Sequence, residues 1–158
     1  VIPVALVFAA ITLVAPGVAK VDRARYAADI AATAPSLVIA KAMIATAVTE
    51  SDLRPTIERC ECPDGECDRD ATGKIGAYGI YQLHWFHFGG HTAAEICGSN
   101  RLASELTARM FSGLVARLGG DVEEALRVFV GTSVKRTDPR VKRRLELFDR
   151  LMEVHNEV

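Results

Sequence analysis

The sequence predicts a mainly α-helical domain with a loop-rich, cysteine-containing insert and little β structure. Three observations carry that expectation. Apolar residues recur at helical spacing through 37–49, 100–118 and 139–152, and a period near 3.6 marks a helix with one buried face. The runs are bounded by helix starters and stoppers: Ser36 and Pro55, Gly119-Gly120, Asp138-Pro139. The polar stretch 56–75 lacks that period and holds three of the four cysteines.

The chain has 158 residues, enough for one domain with a usable core. Hydrophobic residues make up 49% and charged residues 25%, which places it among ordinary globular proteins. The net charge of −1 supplies no field for nucleic acid, so no such partner is expected. Basic residues do gather at Lys135-Arg136 and Arg140 to Arg144. They read as a solvated helix face rather than a contact with an anionic envelope or membrane.

The first stretch, VIPVALVFAAITLVAPGVAK, carries no charge until Lys20 and ends in the small residues Gly17-Val18-Ala19. It reads as the apolar region and cleavage site of a secretory signal. The alternative is a membrane anchor, since the run nears the ~20 residues that span a bilayer. A buried N-terminal helix is disfavoured because the run has no polar face. Residues 1–19 are thus a signal peptide or anchor, and 20–158 a domain exported to the periplasm, cell envelope or extracellular space.

The cysteines agree with export. An even count in a small exported domain suggests two disulfides among Cys60, Cys62, Cys67 and Cys97. Four cysteines allow three pairings, and spacing does not choose among them. Zinc is the rival, with His84, His87 and His91 nearby. Cys-x-Cys-x4-Cys is not a common zinc spacing, so disulfides are preferred and no metal is expected.

In chain order, residues 22–32 predict a short helix, broken at Ala34-Pro35. Ser36 suits the N-cap of the next, over 37–49. Leu37, Ile39, Ala40, Met43, Ile44, Ala47 and Val48 cover most of that helix, so it is central and buried on several sides. Pro55 is the latest point it can reach. In the loop that follows, Pro63-Asp64-Gly65 is a turn signal. GAYGIYQLHWFHFGG, residues 76–90, reads as a turn or short strand leading into a short helix. The helix over 100–118 ends at Gly119-Gly120. Asp121 caps the next, with Glu124 completing a capping box, and that helix runs through Ala125, Leu126, Val128 and Phe129 to Gly131. Pro139 takes the first position of the last helix, whose stripe is Val141, Leu145, Phe148, Leu151 and Met152.

Glu50 is the chemical candidate. It ends an apolar helix, where the negative end of the macrodipole and dry neighbours both disfavour a charged carboxylate. A glutamate that keeps its proton near neutral pH can donate it to a leaving oxygen, as glycoside cleavage requires. The bland alternative is a solvated helix-end residue.

Glu50-Ser51 and then Gly76-Ala77-Tyr78-Gly79-Ile80-Tyr81-Gln82-Leu83 resemble the lytic transglycosylases of the soluble type, a branch of the lysozyme-like fold. That family carries an E-S pair at a helix end, then a G-x-x-G-x-x-Q-[LIV] segment. The resemblance covers roughly residues 36–131 and implies a lysozyme-like helical domain. It implies cleavage of the β-1,4 bond from N-acetylmuramic acid to N-acetylglucosamine in peptidoglycan, leaving a 1,6-anhydro end, with no cofactor. Glu50 resembles the single acid/base, and Ser51 the serine that shapes the site. Gln82 resembles the glutamine of the facing wall, and Gly76 and Gly79 the glycines that admit substrate. Where the family has a tyrosine followed by an asparagine stand Phe129 and Val130, which keep the ring but lose the hydroxyl and the amide. His84-Trp85 stand where many relatives have a proline.

Other residues are weighed beside these. Asp68 or Asp70 as a second carboxylate would poise water for hydrolysis, making a muramidase; the bland reading is loop aspartates in solvent. Tyr78, Tyr81 and Trp85 divide between sugar stacking and core. His84, His87 and His91 are surface or packing residues, with His84 nearest the groove. A non-catalytic peptidoglycan-binding relative is the rival from another class. The partners implied are glycan strands and an envelope-spanning machine around which the wall is opened.

Overall fold

Eight α-helices and one short β-hairpin make up the regular structure among the described residues. The computed structural model describes residues 1–62, 67, 69 and 71–153. The predicted turn at Pro63-Asp64-Gly65 and the candidate carboxylates Asp68 and Asp70 lie outside them. The mainly helical class predicted by periodicity holds.

The helix α3 (Leu37–Ser51) is the axis of the molecule. Helices α1 (Val4–Val14), α2 (Lys20–Thr33), α6 (Asn100–Arg117), α7 (Val122–Val130) and α8 (Pro139–Glu153) all pack on it. Every residue from Ile39 to Val48 is buried. Small Ala40, Ala42, Ala45 and Ala47 let neighbours approach from several sides, which is why the helix needs no polar face. Ser36 caps it as predicted: its hydroxyl accepts from the Ile39 amide at 3.3 Å. The helix runs two residues past the predicted end and takes in Glu50 and Ser51.

Asp52 and Leu53 then turn the chain sharply, with φ of 50° and 55°. Pro55 does not merely stop α3. It opens a further one-turn helix, α4 (Pro55–Glu58), where a missing N–H is no loss. The predicted polar loop therefore begins with a buried turn holding Ile57 and Glu58. The buried Glu58 is satisfied because Arg25 donates Nη1 and Nη2 to its two oxygens and the Tyr26 hydroxyl donates to it at 3.0 Å. Burial and the Glu58 charge push the Tyr26 hydroxyl well above its ordinary range.

Cys60 pairs with Cys97 and Cys62 with Cys67, so all four sulfurs are in disulfides. The zinc alternative thereby loses its sulfur donors. Cys60–Cys97 ties the end of α4 to α5 (Ala93–Gly98), the short helix into which residues 76–90 lead. Between them, β1 (Ala77–Tyr78) pairs antiparallel with β2 (Leu83–His84), and a 3-10 turn follows at Trp85–His87.

Two terminal details differ from expectation. Asp121 caps α7, but the Glu124 carboxylate binds Arg127 instead of closing a box. The complete capping box is at Thr92 and Glu95 on α5. At the N-terminus, α1 packs on α2, α3 and α8 and buries Val7, Ala10 and Ile11. No helix among the described residues is long and apolar enough to cross a membrane.

Candidate active site

Glu50 projects from the last turn of α3 into a cleft of about 280 Å³. The cleft is also lined by Ala77, Tyr81, Gln82, His84, His87, Phe129, Val130 and Arg140. One wall is helical, from α3, α7 and α8. The other is the hairpin and the turn after it. The two sequence motifs, separate in the chain, thus face one space.

Gln82 is set by its backbone. Its φ of 49° is left-handed, an uncommon place for a residue with a side chain. Its side-chain amide donates to the Gly79 carbonyl at 2.9 Å, folding back on the turn that presents it. Gly79 has φ +69°, and a Cβ there would meet Ile96 and Ala103 in the core. Its left-handed φ makes the hairpin turn against the core, a backbone shape that favours glycine. Gly76 and Tyr78 line a neighbouring pocket of about 330 Å³, which shares His84 with the cleft.

The other predicted residues separate. Ser51 is buried away from the cleft. Its hydroxyl donates to the Ala47 carbonyl and accepts from the Leu53 amide at 3.2 Å, so it shapes the turn after Glu50. Tyr78 donates to the Ile75 carbonyl at 2.6 Å and packs edge-on against Phe88. Tyr81 is fully buried, with its hydroxyl 3.0 Å from Ser104, and burial raises its pKa. Trp85 is 75% exposed at the mouth of the neighbouring pocket. His84 stacks on Phe86. His87 lines the cleft, where the sequence placed only His84. Its Nδ1 is buried without a partner, and burial, then His84, lower its pKa.

Phe129 lines the cleft as expected, its ring stacked on Phe111 at 4.8 Å. Beside it lies the residue the sequence reading missed. Arg144 of α8 is fully buried and donates Nη2 to Oε1 of Glu50. Its Nη1 donates to the Leu126 carbonyl at 3.2 Å, and its guanidinium lies 5.4 Å from the Phe129 ring centre. Burial lowers its pKa, opposed by the Glu50 charge. Removing Glu50 would leave this buried cation uncompensated, a loss that typically costs about 3–5 kcal/mol.

Arg144 corrects two expectations at once. The basic cluster is not wholly a solvated face. The surroundings of Glu50 are not only apolar groups and a helix end, for they include a cation. The signal was present: Val141, Arg144, Phe148 and Leu151 share one helical stripe. A charge in an apolar stripe demands a buried partner of opposite sign.

Chemically, the cleft offers one carboxyl group, one amide, two imidazoles and the guanidinium of Arg140, beside the rings of Tyr81 and Phe129. Among the described residues, no group of three or more His, Cys, Asp or Glu could hold a metal ion. Compared with known proteins, the chain matches no family model, no curated protein and no solved structure.

Proposed function

We propose that the protein is an exported peptidoglycan lytic transglycosylase of lysozyme-like fold, with Glu50 as its acid/base. The observation that carries this reading is that Glu50 and Gln82, from the two resembling motifs, line one cleft. In the reaction Glu50, paired with Arg144 at rest, first takes up a proton from solvent as the strand binds. It then protonates the oxygen leaving the muramyl C1, and the glycosidic C–O bond breaks. Glu50, now a carboxylate, takes the proton of the muramyl 6-hydroxyl, whose oxygen bonds to C1 and closes the anhydro ring. The cleft volume lies just below the ordinary range for ligand pockets, so in this reading it takes only the groups next to the scissile bond. The pocket sharing His84 extends it along the strand, where Trp85 offers a flat exposed face. The paired cysteines suit an oxidising compartment, such as the periplasm, envelope surface or medium. Glycan strands are the partner, and local wall opening around an envelope-spanning machine is the proposed setting.

A second reading is favoured by one observation. Glu50 is the counter-ion of a buried arginine, and Phe129-Val130 add no polar group to the cleft. A protein that only binds glycan would be built this way. Mass analysis of muropeptides from purified sacculi separates the readings. Anhydro-muramyl ends that vanish with Glu50→Gln support the transglycosylase. Reducing muramic acid ends mean a hydrolase. Sacculus binding without release means a binding protein.

A further inference from the structure

Glu50 reaches the cleft from the last turn of α3 on a long, flexible side chain. The wall from α7 presents Phe129 and Val130, neither of which has a side-chain hydrogen-bonding group. Among the described residues the carboxyl group receives its side-chain hydrogen bond from Arg144, and at Oε1.

We propose that Arg144 is the positioning residue for Glu50, holding Oε1 so that Oε2 faces the scissile oxygen. This rests on the transglycosylase reading. Arg144 is suited to the task because it is itself fixed. It is fully buried, its Nη1 is bonded to the Leu126 carbonyl at 3.2 Å, and its plane lies by Phe129. Phe129 is in turn stacked on Phe111 at 4.8 Å. A chain of contacts from the core thus ends on one carboxyl oxygen. Arg144 does not line the cleft, and a guanidinium keeps its protons throughout the ordinary pH range. It therefore acts through Glu50 and not on the sugar. The transferred proton leaves from Oε2 and returns there from the 6-hydroxyl, while the Oε1 contact persists.

The test measures turnover of soluble glycan strands, per folded molecule, by wild type, Arg144→Lys and Arg144→Met. Lysine keeps the charge but not the planar fork. A misaimed carboxyl group lowers kcat and leaves binding of the remote sugars intact, so KM should stay within about threefold. A misplacement near 1 Å can cost about a hundredfold, so kcat should fall at least tenfold in Arg144→Lys and further in Arg144→Met. Should Arg144→Met fail to fold, Arg144→Lys decides alone. Wild-type kcat in the folded variants, with only a lowered Tm, would overturn the positioning role and leave the enzyme reading standing. A wild type that releases nothing from the strands overturns the enzyme reading, and the positioning role with it.

Discussion

Arg144 of α8 donates to Glu50 at the end of α3, a contact between residues 94 apart in sequence. The two partners are unequal. Arg144 has no exposed side-chain surface, whereas the Glu50 side chain is 23% exposed. A carboxylate that loses its arginine can turn toward water in the cleft. A guanidinium that loses its carboxylate cannot.

The asymmetry predicts the stability of the variants. Glu50→Gln leaves a buried cation facing a neutral amide and should cost about 3 kcal/mol. Arg144→Met should cost less, and the double variant should regain much of the loss of Glu50→Gln. Urea denaturation of the four proteins measures the coupling. Independent, additive effects would mean that the pair does not hold α3 to α8. Loss of activity in Glu50→Gln is thus interpretable only beside its folded fraction.

Stability should also fall on mild acidification through His87. Burial and the neighbouring His84 place its folded-state pKa below the ordinary 6.5. The unfolded chain therefore binds the proton more readily. The stabilisation is complete above about pH 6.5 and is lost as pH falls from there through the folded pKa. A His87→Leu variant should show a flatter profile of Tm between pH 7 and pH 5. An unchanged slope would remove His87 as the cause.

Gln82 should carry a trade between order and function. A left-handed backbone at a non-glycine residue costs roughly 1–2 kcal/mol. Gln82→Gly relieves that strain but deletes the amide that folds back on Gly79. The expected result is an unchanged or higher Tm with weaker sacculus binding. A lower Tm would show that the amide bond outweighs the strain.

The Cys60–Cys97 bond closes a 37-residue separation. On the chain-entropy account such a crosslink contributes about 4 kcal/mol. Cys60→Ser with Cys97→Ser should therefore unfold at markedly lower urea. The helices of the core, which the bond does not join, should retain their circular dichroism below the transition. A midpoint equal to wild type would assign the bond no part in stability.

Most of the helical architecture was legible because its signals are local. Ser36 capping, the apolar surround of 37–48 and Pro139 at the first turn of α8 each depend on a few adjacent residues. What escaped depends on partners distant in the chain. Glu58 reads as a loop acid until Arg25 and Tyr26 are seen to enclose it. Arg144 reads as one of several basic residues until its place among Val141, Phe148 and Leu151 is weighed against Glu50. Gly79 and Ser51 are site candidates through the resembling motifs; a Cβ on Gly79 would face Ile96 and Ala103, and the Ser51 hydroxyl is bonded to the backbone at Ala47 and Leu53. Glu50 is legible from its place at the end of an apolar helix and from its motif, Gln82 from its motif, and their shared cleft needed the fold.

The packing of α1 sets an order of events for any processing of this chain. Val7 and Ile11 lie wholly inside the core, each a burial worth about 1.5–3 kcal/mol. A peptidase that cut after Ala19 once the helices had assembled would strip an apolar face from three of them. The trimmed molecule would have to settle anew or hide that face against another partner. Scission before assembly leaves no such scar, so the timing of the cut would decide which of two surfaces the finished molecule shows to water.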